Sequence, residues 1–174
     1  RGQGWRCGVS AAVLSVGSNV GDRAGYLRGC VAMLGDVVRG VSAVYSTVPW
    51  GGVVQDEFLN AILLVADPAA DALEWLRRGQ CCEAAAQRTR GIRWGPRTLD
   101  VDVIDVDQTR WDDPRLTLPH PRAHQRAFVL VPWLEVQPGA VLAGHGTVAE
   151  LVAALPAAQR RGVRRRDDLT LASP

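Results

Sequence analysis

Residues 93–105 read RWGPRTLDVDVID, two arginines followed by Asp100 and Asp102 in a run that otherwise has the character of a buried strand. Side chains alternate along a strand, so Asp100 and Asp102 share one face while Val101 and Val103 take the other. Two carboxylates so placed stand roughly 7 Å apart. Their repulsion is then on the order of 2 kcal/mol at an effective dielectric of about 20. A divalent cation between them reverses that sign. Oxygen-only ligation suits Mg²⁺, which keeps waters and takes further ligands from substrate phosphates. Pairing of the acids with nearby arginines is the plainer alternative.

Those arginines are Arg88, Arg90, Arg93 and Arg97, all in one Gly-containing stretch that leads directly into the acids. Guanidinium forks match phosphate oxygens two at a time, and a loop can close them over a polyphosphate. A solvated charge run would look the same by count, but Trp94 and Pro96 restrict this loop and a candidate metal site follows it. A second acid pair, Asp105 and Asp107, has the opposite parity and is expected to be solvated at the strand end. In FLNAILLV (58–65), Phe58 and Asn60 share a face, an aromatic ring beside an amide that both donates and accepts, as a flat heterocycle would require. An Asn60 bonded to loop backbone would fit as well. His120 lies between two prolines in LTLPHPR, a rigid presentation of an imidazole that could equally be structural. The GSNVGD turn (17–22) could bind an anion or simply cap a helix. Gln80 and Glu83 sit on the polar flank of the second expected helix.

The elements that must position these groups are legible from periodicity. Val9–Val16 has strand character. Leu27, Cys30, Val31 and Leu34 recur at helical spacing, with Gly35 as the stop. Val37–Tyr45 reads as a strand, 47–57 as a Pro/Gly loop, Phe58–Val65 as a strand and Asp71 to about Gln87 as a helix. Residues 88–96 form a second loop before the strand Leu99–Val106, and helices are expected near Arg126–Trp133 and Val148–Leu155. The order strand, helix, strand, strand, helix, strand predicts an α+β fold: a single-domain, ferredoxin-like split βαβ sheet with helices packed on it in three layers, αβα. Residues 1–8 are expected to be a tag, linker or disordered start, 9–160 the domain and 161–174 a solvated basic tail.

Composition bounds the chemistry further. The chain has 174 residues, 47% hydrophobic and 22% charged, with a net charge of +2. That charge is too small to argue for nucleic-acid binding. Every one of the 20 basic residues is arginine, which excludes the Walker A lysine and Schiff-base chemistry. The four cysteines form no C-x-x-C pair, so reduced thiols in a cytoplasmic protein are expected rather than a zinc site. No apolar run approaches the ~20 residues of a membrane span. A split βαβ sheet can also bind RNA, but that mode stacks bases on aromatic rings where this chain has LDVDVI.

Four blocks, LSVGSNVGDR (14–23), VYSTVPWGGVVQDEFLNA (44–61), RTRGIRWGPRTLDVDVI (88–104) and LTLPHPRAHQRAFVLVPW (116–133), resemble the 6-hydroxymethyl-7,8-dihydropterin pyrophosphokinase family in order and spacing. The resemblance implies transfer of pyrophosphate from ATP to the pterin hydroxymethyl group in folate biosynthesis, with release of AMP. It implies that Asp100 and Asp102 hold two Mg²⁺ ions and that Arg88 and Arg97 grip the phosphates. It places Phe58 and Phe128 on either side of the pterin, Asn60 at its edge, and Thr47, Val48 and Trp50 along the same pocket. Gln80, Glu83, Ile104, Arg115, Thr117, His120 and Arg126 fall on the ATP side. The partners implied are these two small molecules, with no nucleic acid or membrane, and a monomer is expected. Val48, Trp50 and Pro121 depart from residues common in the family at those positions.

Overall fold

A computed structural model describes residues 10–47, 56–87 and 98–171. In chain order the strands and helices are β1 (Ser10–Ser18), α1 (Arg23–Leu34), β2 (Val38–Val41), β3 (Val44–Thr47), β4 (Phe58–Asp67), α2 (Ala72–Ala85) and β5 (Asp100–Val106). They continue with β6 (Trp111–Asp113), β7 (Leu116–Leu118), α3 (Ala127–Val136), β8 (Val141–Leu142), β9 (Gly146–Thr147), α4 (Val148–Ala154), α5 (Ala157–Arg161) and β10 (Val163–Arg166). The result is a mixed α/β fold around an antiparallel sheet in the order β10-β3-β4-β1-β5, with β2 also paired to β4.

Local chemistry sets the helix ends. Asp22 caps α1 by accepting from the Gly25 N–H at 3.0 Å, and α1 stops at Gly35, whose φ of 60° suits a residue without a Cβ. Asp71 caps α2 by accepting from the Glu74 N–H at 2.8 Å. The two central strands, β1 and β4, are buried on both faces and carry the core. On one face Leu14, Val16, Leu59, Leu63, Val101 and Val103 meet Leu27 and Cys30 of α1 and Trp75 and Cys82 of α2. On the other, Val13, Ile62 and Ile104 meet Val129, Leu130 and Trp133 of α3 and Val148 of α4.

Three expectations change. The single strand over Val37–Tyr45 is two, β2 and β3, because Ser42 turns its hydroxyl to accept the Ile62 N–H at 2.9 Å, a position a backbone carbonyl would otherwise fill. Residues 163–166, assigned to a solvated tail, form β10 against β3, an edge strand on which the adjacent Arg164 and Arg165 are exposed. Asp105 is not a solvated end residue. The β1–β5 register shifts between Val13 and Leu14, so that Ile104 is an extra residue on β5. A bulge of this kind resets the alternation, and Asp105 lies opposite Val13, 4% exposed, on the α3 side of the sheet.

Candidate active site

The α3/α4 side of the sheet is covered by apolar side chains at one end only. Toward the other end, the register sets Asn60 of β4 opposite Gly17 of β1, and Gly17 opposite Asp100 of β5. The next row toward the core sets Ser15 opposite Asp102. Directly opposed residues of an antiparallel pair share a face, so amide, glycine and carboxylates project together. Val101 and Val103 point into the core on the reverse side, as the alternation of LDVDV requires. Asp100 and Asp102 are half-buried.

Asn60 is 4% exposed, and its Nδ2 donates to Thr47 Oγ1 at 2.9 Å. Thr47 lies across from Phe58 on the paired strand. The two readings of Asn60 thereby separate: its amide bonds a strand side chain, and that bond fixes the orientation of the group. Gly17 leaves room beside it, since a Cβ there would stand 2.9 Å from Asn60 Oδ1 and 3.8 Å from Phe58 Cδ1 and the amide would have to shift. Sequence reasoning treated Gly17 as turn punctuation; its pairing with both Asn60 and Asp100 becomes visible only once register is known.

The other wall comes from the start of α3 and the segment before it. Arg126 Nη1 lies 3.4 Å from Asp102 Oδ2, and the same guanidinium sits over the Phe128 ring at 5.5 Å, within cation–π range. Arg126 therefore joins the acid and the aromatic ring. The far end of α3 is tied to the sheet by Glu135, which accepts the Tyr45 hydroxyl and the Ala43 N–H and faces Arg165 at 3.4 Å. His120 donates its backbone N–H to the Ile104 carbonyl at 2.8 Å. Its Nδ1 accepts from the Arg122 N–H at 3.1 Å, so the neutral ring carries its proton on Nε2. Burial, and then the positive charges of Arg126 and Arg122, push its pKa down to about 4. At neutral pH the ring is uncharged, and its 4.0 Å approach to Asp102 Oδ2 is neither an ion pair nor a hydrogen bond.

A cavity of about 310 Å³ opens beside β5, lined by Asp102, Val103, Leu76, Arg115, Thr117 and His120 among others. Its volume is at the small end of the range for small-molecule sites. Arg115 is exposed and paired with Asp113 at 2.9 Å. Ile104 contributes its carbonyl to the His120 N–H, while its side chain is fully buried in the α3/α4 core. Gln80 is exposed on α2. Glu83 reaches the edge of β5, where its Oε1 accepts the Val101 N–H at 2.9 Å. Val48, Trp50, Arg88, Arg90, Arg93 and Arg97 lie outside the described residues.

Among the described residues no three His, Cys, Asp or Glu side chains converge as a complete metal cage. Two partly open carboxylates on one face do fit Mg²⁺, which is held by one or two protein carboxylates and completed by water and phosphate oxygens. They do not fit structural zinc, which needs four nitrogen or sulfur ligands.

Residues 13–138 match the 7,8-dihydro-6-hydroxymethylpterin-pyrophosphokinase (HPPK) family. The chain is 49% identical over 168 residues to the 2-amino-4-hydroxy-6-hydroxymethyldihydropteridine pyrophosphokinase of Mycobacterium tuberculosis H37Rv, spanning 90% of this chain and 89% of that one. It is 39% identical over 129 residues to the Bacillus subtilis protein of the same name, spanning 72% and 77%. Among solved structures, wild-type Plasmodium falciparum HPPK-DHPS aligns with a TM-score of 0.62 over 83% of this chain and 44% of that longer one. At 13% identity that likeness concerns the fold alone.

Proposed function

This chain belongs to the 7,8-dihydro-6-hydroxymethylpterin-pyrophosphokinase family, and from that premise we propose that it transfers pyrophosphate from ATP to the hydroxymethyl group of 6-hydroxymethyl-7,8-dihydropterin. The products are AMP and the pterin pyrophosphate, and the step belongs to folate biosynthesis. The observation that carries the assignment of roles is the row Asn60–Gly17–Asp100. It sets an oriented amide and a carboxylate on one face, two interstrand spacings or roughly 10 Å apart. That is room for a bicyclic ring at one end and the phosphates it attacks at the other.

In this reading Phe58 and Phe128 hold the pterin ring between them. Asn60, with one N–H committed to Thr47, offers its carbonyl and second N–H to the ring edge. Asp100 and Asp102 hold Mg²⁺, two ions in the arrangement proposed, and the metal neutralises phosphate charge when bound. Arg88 and Arg97 contribute positive charge to the same phosphates. His120 presents a neutral Nε2–H donor at the cavity that receives the nucleotide, and Arg115 and Thr117 close its outer wall. Rate enhancement then comes from placing the hydroxyl in line with the β-phosphorus and from electrostatic stabilisation of the phosphoryl charge. No side chain among the described residues is assigned as a general base. The sheet order β3-β4-β1-β5, with α1 and α2 on one face, supports a ferredoxin-like split βαβ reading of the scaffold.

Product identity tests the proposal. Incubation with Mg²⁺, ATP and the hydroxymethyl pterin should yield AMP in step with pterin consumption. Formation of ADP, or no nucleotide turnover, would overturn it.

A further inference from the structure

We infer that Glu83 is a positioning residue: through the main chain of Val101 it holds the strand segment that carries Asp100 and Asp102. The inference rests on the role proposed above for those two acids. β5 is the edge of the main sheet. On its inner side Asp100 and Asp102 are registered against Gly17 and Ser15. The N–H of Val101, between the two acids, goes instead to Glu83 Oε1 on α2 at 2.9 Å. A carboxylate accepting from a backbone amide makes one of the stronger hydrogen bonds available to a protein.

A second contact at the same residue acts in the same direction. A Cβ on Gly79 of α2 would stand only 2.9 Å from Val101 Cγ1, so the helix backbone presses on this valine one turn before Glu83 bonds its amide. Val101 is thereby gripped by packing on its core side and by hydrogen bonding at its edge. The flanking acids inherit that fixed backbone. Edge strands are ordinarily where a sheet frays, with donors left to solvent; this edge is closed at the residue where movement would part the two carboxylates. Glu83 serves through an acceptor oxygen and not through contact with nucleotide, which predicts that glutamine can replace it and alanine cannot.

The test compares Glu83→Ala, Glu83→Gln and Asp102→Ala with the wild-type protein in two measurements. Amide exchange at Val101, followed by NMR without metal or nucleotide, should accelerate about tenfold or more in Glu83→Ala, as loss of one charge-assisted hydrogen bond implies. In Glu83→Gln it should return to within a few-fold of wild type. The Mg²⁺ concentration for half-maximal AMP formation should rise in Glu83→Ala, with KM for the pterin unchanged, and be restored in Glu83→Gln. Unchanged Val101 exchange in Glu83→Ala would overturn the inference, as would equal Mg²⁺ defects in the alanine and glutamine variants. An Asp102→Ala protein with wild-type turnover would overturn the metal assignment itself. The two failures are therefore distinguishable.

Discussion

On the α1/α2 side of the sheet, Leu14, Val16, Leu59, Leu63, Val101 and Val103 form an unbroken apolar layer sealed by Trp75. On the α3/α4 side the same strands begin in the same way, with Val13, Ile62 and Ile104 under Trp133, but change to Asn60, Gly17, Asp100 and Asp102 where helix cover ends. The strands thus do two jobs by parity. One set of alternate residues is bound to packing throughout, and the other carries polar and small residues over part of its length. A consequence is that damage on the two faces should appear in different measurements. Trp75→Ala should give the largest effect of any single truncation, a loss of about 3–5 kcal/mol in unfolding free energy. It also abandons the indole N–H bond to Ser10 Oγ at 3.0 Å. Denaturant titration reads the loss, while KM of the folded fraction should stay near wild type. A proportionate collapse in KM for both substrates would break the division between the faces.

Asp102→Ala is the counterpart on the open side. It removes a half-buried carboxylate beside Arg126 and His120 and should lower kcat by about 10²–10³-fold, the range seen when one electrostatic element of a transition-state site is deleted. The midpoint of thermal unfolding should move little, because the site face lacks helix cover there. Steady-state AMP formation and a melting curve on the same preparation decide the matter. Retained activity with a lowered midpoint would make Asp102 a structural residue.

How far the sequence disclosed this division depends on which physical signal each element carries. Alternation in LDVDVI is strong, since burying one face leaves no freedom of register, and it set Asp100 and Asp102 together as the structure does. The apolar helical stripes through Leu27–Leu34 and Trp75–Cys82 were equally plain. Strand β10 was not, because a VRRR composition on an edge is indistinguishable from a solvated run until β3 is found beside it. The Asp102–Arg126 and Glu83–Val101 contacts join residues 24 and 18 positions apart and have no local signature; Glu83 reads from the sequence only as a residue on the polar flank of its helix, and Arg126 gains a role only through the family resemblance. The bulge at Ile104 likewise depends on the partner strand: a strict period of two puts Asp105 on the Val101/Val103 face, where only a place at the strand end would leave it in solvent.

Asp105 offers a smaller test of the same boundary. Burial raises its pKa to about 6, against a weaker opposing effect of the Gln108 N–H it accepts. A carboxyl that binds its proton more tightly when folded makes the unfolding free energy fall as pH climbs from the ordinary value near 3.8 to about 6. Above that the effect is constant. Asp105→Asn should therefore be more stable than wild type at pH 8, by about 1–3 kcal/mol. The difference should vanish near pH 4, where the wild-type carboxyl is protonated in the folded protein. Paired denaturant titrations across that interval would show it. A pH-independent difference would mean that Asp105 titrates as a solvated acid and that the α3 side is wetter at the bulge than its 4% exposure indicates.

Gly17→Ala should give the smallest change and the most local. The new methyl group enters at 2.9 Å from Asn60 Oδ1, with Leu59 O at 3.7 Å and Phe58 Cδ1 at 3.8 Å. Backbone strain is not involved, since Gly17 is a β1 residue in regular pairing. The amide must yield, and it is held at its other end by Thr47, so it can rotate only by loosening the Thr47 bond. With Asn60 at the pterin edge as proposed, loss of one well-aligned hydrogen bond costs about 0.5–1.5 kcal/mol, which predicts a rise of up to about tenfold in KM for the pterin. KM for ATP should be unaffected, because the methyl group points at the amide end of the row and Asp100 lies on the opposite strand. A defect confined to ATP would reverse the order of the row, placing the nucleotide over Asn60 and the ring over the acids.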